Sequence, residues 1–395
     1  MPDPRLAVLP SLCVTPRADG RVTLTRKFIE GVQEYQRTWQ GEVTVYAEVA
    51  SSPSDSLDNV ALTQSELPFV LHLVNFDELA SAPGFAECSI VLASASHRQN
   101  HLASLCRKIG LRCVYVTEYS LKTRYQIIDA ETRNPFLRWR RRSWARRQEA
   151  RQLDAIARSD GVQCNGTPTF DAYRQINSNS LLNFDTRMTQ SALAKRGEDE
   201  ARLAHCLGEA PLRLLFSGRL IAMKGAGDLI HVARHLRELG VSFALTICGE
   251  GELLPSMRSA VEAYGLSGQV RFAGNLDFHD ELVPKVKHDT DIFICCHRQG
   301  DPSCTYLETM SCGVPIVGYD NEAFAGLIAE SGVGWAVPMN RPERIAATVA
   351  MLELNRAAIA TASYAALKFA EKHTFDLEFD RRVQHLQMLA RRPLT

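Results

Sequence analysis

One short stretch of the chain combines a predicted helix start with a carboxylate one turn further along. Asp301 followed by Pro302 is typical of a helix N-terminus, with the aspartate as the N-cap and the proline at the first helical position. The backbone amides of Ser303 to Thr305 would then be free to bind an anion such as a phosphate. Glu308 shares a helix face with Cys304, and a carboxylate in this place suits the two hydroxyl groups of a ribose. The stretch therefore predicts a nucleotide site.

Two apolar runs flank this stretch and predict the strands that position it. The runs Asp291–Cys296 and Val314–Gly318 have strand length, and Gly313 with Pro315 ends the helix between them. A strand, a helix and a strand of this size form a parallel crossover. The helix start then lies at the carboxyl ends of the strands, where sheets of this kind bind their ligands.

The same alternation extends through the C-terminal half of the chain. Strands are predicted at 212–217, 243–248 and 270–272, and helices at 226–239, 253–264 and 280–286. Alternation at this spacing is typical of an α/β fold with a doubly wound parallel sheet. Two glycine turns, one at Gly249 and one at Gly274 with Asn275, follow predicted strands and would lie above that sheet.

The N-terminal half also predicts alternating strands and helices, with its first helix at 23–38. Its strands are predicted to begin near residues 6, 43, 69, 89, 112, 161 and 181. A further helix is predicted from about Asp171, and the charge-rich stretch 188–210 is typical of an interdomain linker. The predicted units are an N-terminal domain, a linker, a C-terminal domain and a helical tail, at 1–187, 188–210, 211–374 and 375–395.

Two motifs in the C-terminal half resemble those of a known enzyme family. Leu307-Glu-Thr-Met-Ser-Cys-Gly-Val-Pro-Ile-Val317 is similar to a signature of the family 4 retaining glycosyltransferases, and Phe216-Ser-Gly-Arg-Leu-Ile-Ala-Met-Lys-Gly225 is similar to their phosphate loop. The resemblance implies the GT-B fold, in which two Rossmann-like, doubly wound domains face a cleft and a C-terminal helix crosses back to the first domain. It implies that Glu308 binds the ribose of a sugar nucleotide and that Arg219 and Lys224 clamp the diphosphate.

The resemblance also assigns further donor contacts and shows one departure from the family pattern. Phe272-Ala-Gly-Asn275 is similar to a family turn whose backbone groups meet the nucleotide base, which makes Gly274 and Asn275 candidate donor contacts. Gly218 and Gly249 are further candidates, and all of these glycines could instead be simple tight turns. The family often has a glutamate eight positions before the ribose glutamate, and this chain has Gly300 in that place. Asp301 is either its replacement, after a one-residue shift of the loop, or only the helix N-cap.

Two places in the N-terminal half are candidates for the acceptor side of the cleft. In the family the loop after the first strand faces the acceptor, and here it offers Asp19, Gly20 and Arg21, although an ordinary strand–helix turn is an equal interpretation. Glu118 follows the strand predicted from residue 112, where family members often have a histidine near the transferred sugar. Its carboxylate could accept a sugar hydroxyl, act as a base on the acceptor, or pair with Arg124.

The predicted chemistry is the stabilisation of a leaving nucleoside diphosphate. Negative charge grows on the phosphate as the bond to the sugar breaks, and cations with helix-start amides would stabilise that charge. The candidate catalytic residues are Arg219, Lys224, Glu118 and Asp301. The resemblance implies that no metal is needed, because these cations and amides would act without one, and the nucleotide-sugar is a substrate rather than a cofactor. His97 and His101 are four positions apart on a predicted helix, a spacing that metal ligands can have. No third ligand is evident nearby, so a solvated or acceptor-facing pair is favoured over a metal site.

The segment 133–151 contains eight arginines with Phe136, Leu137, Trp139 and Trp144 interleaved. Arginine and tryptophan on one helix can bind anionic lipid headgroups, and guanidinium groups can equally hold an acceptor diphosphate. The alternative is a solvated helix that packs through one stripe. Trp139 and Trp144 are five positions apart and so do not share a face, which weakens the case for an amphipathic membrane helix.

Length and composition limit the class of protein. The 395 residues suit two domains, and 45% hydrophobic with 23% charged residues is typical of a globular protein. The net charge of zero predicts no nucleic-acid partner. Eleven cysteines with no CxxC pair predict reduced thiols. With no run of membrane-spanning length and no signal peptide, we expect a cytoplasmic protein, with contact to an anionic membrane surface through 133–151 as an alternative.

The resemblance thus implies a hexosyltransferase that uses a nucleotide-sugar donor, and it implies retention of configuration, which nothing in the residue spacing shows. Its acceptor would be a glycan or a lipid-linked glycan, in exopolysaccharide or lipid-linked oligosaccharide synthesis. Two alternatives stay open: a transferase that acts on a small soluble acceptor, and a catalytically weak sugar-nucleotide-binding protein. The departures at Glu118 and Gly300 motivate the second alternative.

Overall fold

The computed structural model describes residues 4–52, 58–195, 197 and 200–392. Two α/β domains, each built on a large parallel sheet, face one another across a cleft. Most strand residues of the two large sheets are buried, because helices cover both faces of each sheet. This is the two-domain, Rossmann-like architecture that the sequence predicts.

The N-terminal domain combines a large parallel sheet with a small antiparallel one. Its strands are β1 (Leu6–Leu9), β2 (Thr15–Pro16), β3 (Val22–Thr25), β4 (Val43–Ala47), β5 (Asn59–Leu62), β6 (Val70–Leu73), β7 (Ile90–Ser94), β8 (Arg112–Thr117), β9 (Gly161–Asn165) and β10 (Ser180–Asn183). Its α-helices are α1 (Arg26–Thr38), α2 (Leu102–Ile109), α3 (Leu121–Glu131), α4 (Pro135–Arg158) and α5 (Gly166–Tyr173). The large sheet has the order β10-β9-β8-β7-β1-β4-β6, and β2, β3 and β5 form the small sheet.

The C-terminal domain contains one six-stranded parallel sheet. Its strands are β11 (Leu212–Ser217), β12 (Phe243–Cys248), β13 (Val270–Gly274), β14 (Ile292–Cys295), β15 (Ile316–Tyr319) and β16 (Trp335–Val337), in the order β13-β12-β11-β14-β15-β16. Its α-helices are α6 (Glu200–Leu207), α7 (Asp228–Glu238), α8 (Leu254–Ala263), α9 (Val283–Asp289), α10 (Cys304–Ser311), α11 (Glu322–Ser331), α12 (Pro342–Leu354) and α13 (Arg356–Ala370). Short 3-10 turns at Gln190–Ala192 and Ala222–Lys224 complete the connections.

Helix α6, which lies within the predicted linker 188–210, packs on the second domain. The side chain of Arg202 is buried there and donates hydrogen bonds to the Gly313 carbonyl at 3.0 Å and to the Ser363 hydroxyl at 2.8 Å. These bonds satisfy donors of a guanidinium group that would otherwise be costly to bury. The linker is therefore part helical, and its helix belongs to the C-terminal domain.

The last helix, α14 (Phe375–Ala390), packs on the first domain. Thr374 caps it by accepting a hydrogen bond from the Leu377 amide at 3.4 Å. Its buried apolar residues recur at positions 379, 383, 386 and 389, which places them on one face of the helix. They join the core that β1 and α1 form, so the end of the chain contributes to the N-terminal domain.

Chain order reverses beside the first strand of each large sheet. The reversal lies between β1 and β7 in the first sheet and between β11 and β14 in the second. The loops at such a point separate at the carboxyl ends of the strands and leave a crevice in which α/β sheets bind ligands. Each domain therefore offers one such crevice.

Two helices of the N-terminal domain begin at other residues than the sequence predicts. Helix α1 begins at Arg26 rather than near residue 23, because Val22–Thr25 pairs with Asn59–Leu62 as an antiparallel strand. Helix α5 begins at Gly166, directly after β9, rather than near Asp171. In the first case a pairing partner distant in sequence overrides the local helix pattern.

No single helix within the described residues combines the length and the apolar character needed to cross a membrane. One pair of helices, Pro342–Leu354 and Arg356–Ala390, meets the requirement only when taken together across a bend of 103°. Several residues of that pair, such as Val349, Ile359 and Leu386, belong to the domain cores.

Candidate functional site in the interdomain cleft

Two cavities in the cleft contain most of the predicted site residues. The turn cavity, of 540 Å³, is lined among others by the predicted residues Gly218, Arg219, Gly249, Asn275, Thr305 and Glu308. The helix-start cavity, of 620 Å³, shares three of these and adds Lys224, Asp301, Ser303, Cys304 and Glu118. The structure therefore brings together residues that lie far apart in the sequence.

Lys224 and Arg219 are the two predicted phosphate-binding cations, and both line the helix-start cavity. The Lys224 ammonium is nearly buried and pairs with Asp301, with 2.9 Å between Nζ and Oδ2. Arg219 is exposed to the cleft and forms no ion pair with any residue in the described part of the chain. The amides of Cys304 and Thr305 begin helix α10 on the same cavity and donate no hydrogen bond to a described residue. Cations and a helix start are a strong combination for binding a diphosphate.

Asp301 is not the helix N-cap, so that interpretation is wrong. Helix α10 begins at Cys304 with Ser303 as its N-cap, and the Ser303 amide donates to the Asp301 carbonyl at 2.7 Å. This amide is therefore not free for an anion. The Asp301 carboxylate instead accepts hydrogen bonds from Lys224 and, at 3.0 Å, from the Gln299 amide group. An ion pair with a nearly buried lysine outweighs the weaker capping interaction.

Gly300 has no room for the side chain that the family often carries there. An added Cβ would lie 2.9 Å from Glu322 Cβ and 3.0 Å from Thr123 Oγ1. Helix α3 of the first domain holds this loop, because Thr123 donates to the Gly300 carbonyl at 3.0 Å and the Gly300 amide donates to Gln126 at 2.7 Å. Ser120 donates to Glu322 at 2.9 Å beside them. The loop that borders the cations is thus fixed from both domains.

Glu308 lies one turn inside α10, as predicted, and is 8% exposed. Its carboxylate pairs with Arg187, with 2.7 Å between Oε1 and Nε. The Arg187 guanidinium also lies 3.6 Å from the centre of the Phe278 ring. A ribose that bound to Glu308 would have to share this carboxylate with Arg187 or displace the guanidinium.

Backbone turns form the other wall of the turn cavity. Gly249 has φ +122°, and a Cβ there would lie 2.1 Å from the Gly218 carbonyl oxygen, so only glycine fits. Its amide donates to the Gly274 carbonyl at 2.7 Å. Asn275 lines the cavity, whereas Gly274, which precedes it, is not among the residues that line either cavity. The predicted turn residues therefore present mostly backbone groups to the cleft.

Glu118 follows β8 and is open to the cleft, with protein on its other sides. Its carboxylate accepts a hydrogen bond from Asn165 Nδ2 at 3.2 Å. Desolvation raises the pKa of Glu118 to about 7, with a further rise from the charge of Asp185 and an opposing effect of Lys27. The predicted alternative of a pair with Arg124 is wrong, because Arg124 pairs with Glu149 on helix α4.

Lys27 connects the two domains at the centre of the cleft. It forms an ion pair with Asp185, and its Nζ atom lies 3.0 Å from Cys304 Sγ at the start of α10. Burial opposes the charge, but the attraction of Asp185 holds the pKa of Lys27 well above its usual value. Burial also raises the pKa of the Cys304 thiol, followed by the charge of Asp185. At neutral pH the group beside the helix start is therefore an ammonium and the sulfur is a neutral thiol.

Asp19, Gly20 and Arg21 form the exposed tip of the hairpin between β2 and β3. Arg21 pairs with Asp19 at 2.7 Å, and neither the turn cavity nor the helix-start cavity includes the tip. Their acceptor role stays a prediction. The part of the loop that directly follows β1, including Ser11 and Leu12, lines a third cavity in the first domain.

His97 and His101 do not form a pair on one helix, because α2 begins at Leu102. The His97 ring contacts Trp144, and His101 Nε2 lies 3.0 Å from the Phe76 carbonyl. Across the described ranges, no three His, Cys, Asp or Glu side chains gather in a group that could hold a metal ion. All eleven cysteines are free thiols.

Helix α4 contains most of the arginine- and tryptophan-rich segment. It packs through one stripe that includes Ala145 and Ile156. Phe136, Trp139 and Trp144 are 70%, 64% and 48% exposed, and Phe136 stacks on Trp139 at 6.0 Å. The two tryptophans thus lie on the outward half of the helix although their spacing separates them around its axis.

Sequence reasoning missed three charged residues that organise the cleft: Lys27, Asp185 and Arg187. Lys27 and Asp185 are 158 positions apart, and Arg187 and Glu308 are 121 positions apart. No local pattern marks such partners. The one available signal is that Asp185 and Arg187 directly follow the last strand of the first domain.

Comparison with known proteins gives similar sequences and similar folds. Residues 198–369 match the family described as glycosyl transferases group 1. The putative colanic acid biosynthesis glycosyltransferase WcaL of Salmonella typhimurium is 27% identical over 168 residues, which cover 40% of this chain and 41% of that protein. The amylovoran biosynthesis glycosyltransferase AmsK of Erwinia amylovora is 26% identical over 184 residues, 45% of this chain and 44% of that protein. The matched stretch thus spans about two fifths of these relatives.

Among solved structures, Anabaena HepE in complex with UDP superposes with a TM-score of 0.69 at 14% identity, over 98% of this chain and 99% of that one. At this identity the likeness concerns the fold, and it extends over both domains. Residues 198–369 are therefore similar to the glycosyl transferases group 1 family, and the chain as a whole has the two-domain GT-B fold.

Proposed function

We propose that this chain is a glycosyltransferase that moves a hexose from a nucleotide-sugar donor to a glycan acceptor. The observation that carries the proposal is the convergence of Arg219, Lys224 and the start of helix α10 on one cavity, with Glu308 one turn behind. Such an arrangement binds a diphosphate through its cations and amides and a ribose through its carboxylate.

The same groups stabilise the leaving diphosphate. When the bond between the sugar carbon and the phosphate oxygen breaks, the electron pair remains on that oxygen. Arg219, Lys224 and the Cys304 and Thr305 amides face the growing charge, and Lys27 adds an ammonium beside Cys304. An acceptor oxygen then bonds to the sugar carbon, and its proton leaves to the diphosphate or to Glu118.

The donor has to displace existing ion pairs in order to bind. Lys224 is held by Asp301 and Glu308 by Arg187. A diphosphate can replace the carboxylate beside Lys224, and ribose hydroxyls can replace the guanidinium beside Glu308. Asp301, once released, is near enough to the phosphate cations to accept hydroxyl groups of the transferred sugar.

A thermal-shift panel of UDP-, GDP-, ADP- and TDP-sugars on the wild type and on Glu308→Ala tests the donor site. A ligand at a hundredfold its dissociation constant stabilises the folded state by about 2.7 kcal/mol, which is a measurable shift. We expect one donor to raise the wild-type midpoint and Glu308→Ala to abolish that rise. Each variant is compared with its own ligand-free midpoint, because Glu308→Ala also breaks the pair with Arg187.

Glu262→Ala is the matched control, since Glu262 is an exposed glutamate on helix α8 of the same domain. It should respond to the donor as the wild type does. If no nucleotide-sugar shifts the wild type, the nucleotide site is refuted. If a donor binds but neither sugar transfer nor slow donor hydrolysis follows, the chain is the catalytically weak binding protein instead.

We further propose that transfer retains the anomeric configuration and needs no metal ion. Both statements rest on the resemblance to the retaining family and on the cations already present at the helix-start cavity. Proton NMR of the first product formed distinguishes the two anomers. Activity that persists after dialysis against EDTA supports the metal-independent reaction, and activity that returns only with added Mg²⁺ or Mn²⁺ contradicts it.

The acceptor is proposed to be an exopolysaccharide precursor or a lipid-linked glycan at an anionic membrane surface. WcaL and AmsK are named for exopolysaccharide synthesis, and helix α4 exposes Phe136, Trp139 and Trp144 among arginines. Such a face suits anionic headgroups with aromatic rings at the boundary.

Sedimentation with phosphatidylglycerol vesicles tests this surface. We expect binding that Trp139→Ala with Trp144→Ala weakens and that neutral phosphatidylcholine vesicles do not support. Tyr364→Ala, which removes an exposed aromatic residue of the other domain, is the control. Equal sedimentation with and without the anionic lipid would favour the small soluble acceptor.

A further inference from the structure

The 299–303 loop, which carries Asp301, lies between β14 and helix α10. Residue 300 of this loop is a glycine, so it offers only backbone groups to its surroundings. Its φ is not positive, and the reason for glycine is space, because an added Cβ would lie 2.9 Å from Glu322 Cβ and 3.0 Å from Thr123 Oγ1. Whatever holds the loop at this point therefore has to hold its backbone.

Both backbone polar groups of Gly300 are bound by helix α3 of the first domain. The Gly300 amide donates to Gln126 Oε1 at 2.7 Å, and the Gly300 carbonyl accepts from the Thr123 hydroxyl at 3.0 Å. Thr123 and Gln126 are three positions apart and so lie on the same face of the helix. Thr123 is fully buried, so water has little access to its hydroxyl. One face of α3 thus holds the loop through two hydrogen bonds.

Helix α3 is itself held firmly in the first domain. Ser120 caps it by accepting from the Thr123 amide at 3.1 Å, and Arg124 pairs with Glu149 on helix α4. The same helix lies against the turn Ala222–Lys224, which carries one of the phosphate-binding cations. A fixed element of the first domain therefore contacts both segments of the second domain that carry the ion pair between Lys224 and Asp301.

These two hydrogen bonds are independent of the ion pair that a donor would displace. On the proposed function, a diphosphate replaces Asp301 beside Lys224, so this tether of the loop is lost when the donor binds. The bonds from α3 go to the backbone of Gly300 and take no part in that exchange. On the other side of Asp301, Pro302 packs on Gly166 of the first domain, where an added Cβ would lie 2.6 Å from Pro302 Cβ. The first domain therefore contacts the residues on both sides of Asp301.

We propose that Thr123 and Gln126 are positioning residues, which hold the 299–303 loop so that the released Asp301 carboxylate faces the sugar of the donor. The inference rests on the proposed function and deepens it, because it gives residues of the first domain a part in recognising the donor sugar. A nucleoside diphosphate has no sugar for Asp301 to contact. Its binding should therefore not depend on Thr123 and Gln126, whereas binding of the whole nucleotide-sugar should.

Isothermal titration with two ligands tests the proposal. One is the nucleotide-sugar that raises the wild-type midpoint in the panel of UDP-, GDP-, ADP- and TDP-sugars, and the other is the nucleoside diphosphate with the same base. Thr123→Val, which keeps the shape but loses the hydroxyl, and Gln126→Met should each weaken nucleotide-sugar binding about fivefold, as expected for one hydrogen bond. Diphosphate binding should change less than about twofold. Thr123→Ser, which keeps the hydroxyl, should bind both ligands as the wild type does.

Thr361→Val is the matched control, because the Thr361 hydroxyl makes an exposed hydrogen bond on helix α13. Mass spectrometry of hydrogen exchange should show faster exchange in peptides that contain Gly300 in Thr123→Val and Gln126→Met, and no change in the control. Unchanged exchange there, unchanged nucleotide-sugar binding, or equal weakening of both ligands would each overturn the proposal. A wild type that binds no nucleotide-sugar refutes the proposed function, whereas normal nucleotide-sugar binding in every variant refutes this inference alone.

Discussion

The two crevices at which strand order reverses differ in whether their polar groups have partners. In the second domain the key groups are already paired, Lys224 with Asp301 and Glu308 with Arg187. In the first domain Tyr35 Oη and Asn183 Oδ1 are buried without a partner. The difference teaches that the same reversal of strand order can hold either paired charges or buried polar atoms without a partner. On the proposed function, a charged donor would have to exchange with the ion pairs of the second crevice.

The largest expected effect concerns the backbone at one turn of the second crevice, where only glycine fits. Gly249→Ala should destabilise the protein by about 3 kcal/mol, because the new Cβ would lie 2.1 Å from a backbone oxygen at φ +122°. Gly20→Ala, at φ +79° with no atom within 4 Å of the new Cβ, should cost about 1 kcal/mol. Urea denaturation of both variants measures the two values, and equal destabilisation would contradict the contrast.

The next largest effect is expected when the crevice of the second domain loses the Lys224 cation. If Lys224 stabilises the charge that develops on the diphosphate, as proposed, Lys224→Met should lower kcat/KM for the donor about 100-fold. It should also lower stability, because the Asp301 carboxylate loses its partner.

The double variant Lys224→Met with Asp301→Asn separates these two effects. We expect it to recover much of the stability lost in Lys224→Met, because no unpaired carboxylate remains. Turnover should stay low. Full recovery of turnover would mean that Lys224 serves only to hold Asp301 and does not act on the diphosphate.

A smaller effect, confined to part of the pH range, is expected at Glu118 on the acceptor side. If Glu118 accepts the acceptor proton, the wild-type rate should fall about tenfold per pH unit below about pH 7, the folded-state pKa. Glu118→Gln should be slow and independent of pH. Rate profiles from pH 5 to 9 measure both, and a wild-type profile that is flat through pH 7 would exclude the base role and leave that of hydroxyl acceptor.

Glu118 also makes the folding stability depend on pH, and its raised pKa fixes the direction of that dependence. The folded-state pKa of Glu118 lies above the ordinary glutamate value of 4.5, so folding favours the protonated form. Its contribution is fully present below pH 4.5 and is lost as the pH rises through about 7. The wild type should therefore lose more stability than Glu118→Gln between pH 5 and pH 8, as urea midpoints can show.

The sequence predicted what local patterns determine, and it failed where distant residues compete. Short stretches of sequence were enough to predict the alternation of strands and helices. They were also enough to predict that Arg219 and Glu308 lie at the cleft. The start of helix α10 was predicted wrongly because Lys224, 77 positions away, takes the Asp301 carboxylate that would have capped the helix. The start of α1 moved because β3 pairs with β5. Tyr35 reads as an ordinary core residue, and only the assembled first domain shows that its hydroxyl has no partner.

The smallest effect is expected at Arg187. It tests whether the donor displaces the ion pair between Arg187 and Glu308. If its pair with Glu308 is one that the donor displaces, Arg187→Gln removes the competitor, and the donor should bind about threefold more tightly, a gain of about 0.7 kcal/mol. The ligand-free protein should be less stable, because Glu308 is nearly buried and loses its charged partner.

Isothermal titration of the donor into Arg187→Gln measures the affinity, and Arg174→Gln, which alters an exposed arginine on the surface of the first domain, is the control. Weaker donor binding in Arg187→Gln would mean that the guanidinium turns to the donor itself once Glu308 is taken by the ribose. The second crevice would then be one in which both partners of an ion pair are re-used by the ligand, rather than one in which a counter-ion is expelled. The contrast with the first crevice would then lie only in whether the polar groups have partners before a ligand binds, because no ion pair of the second crevice would be lost without replacement.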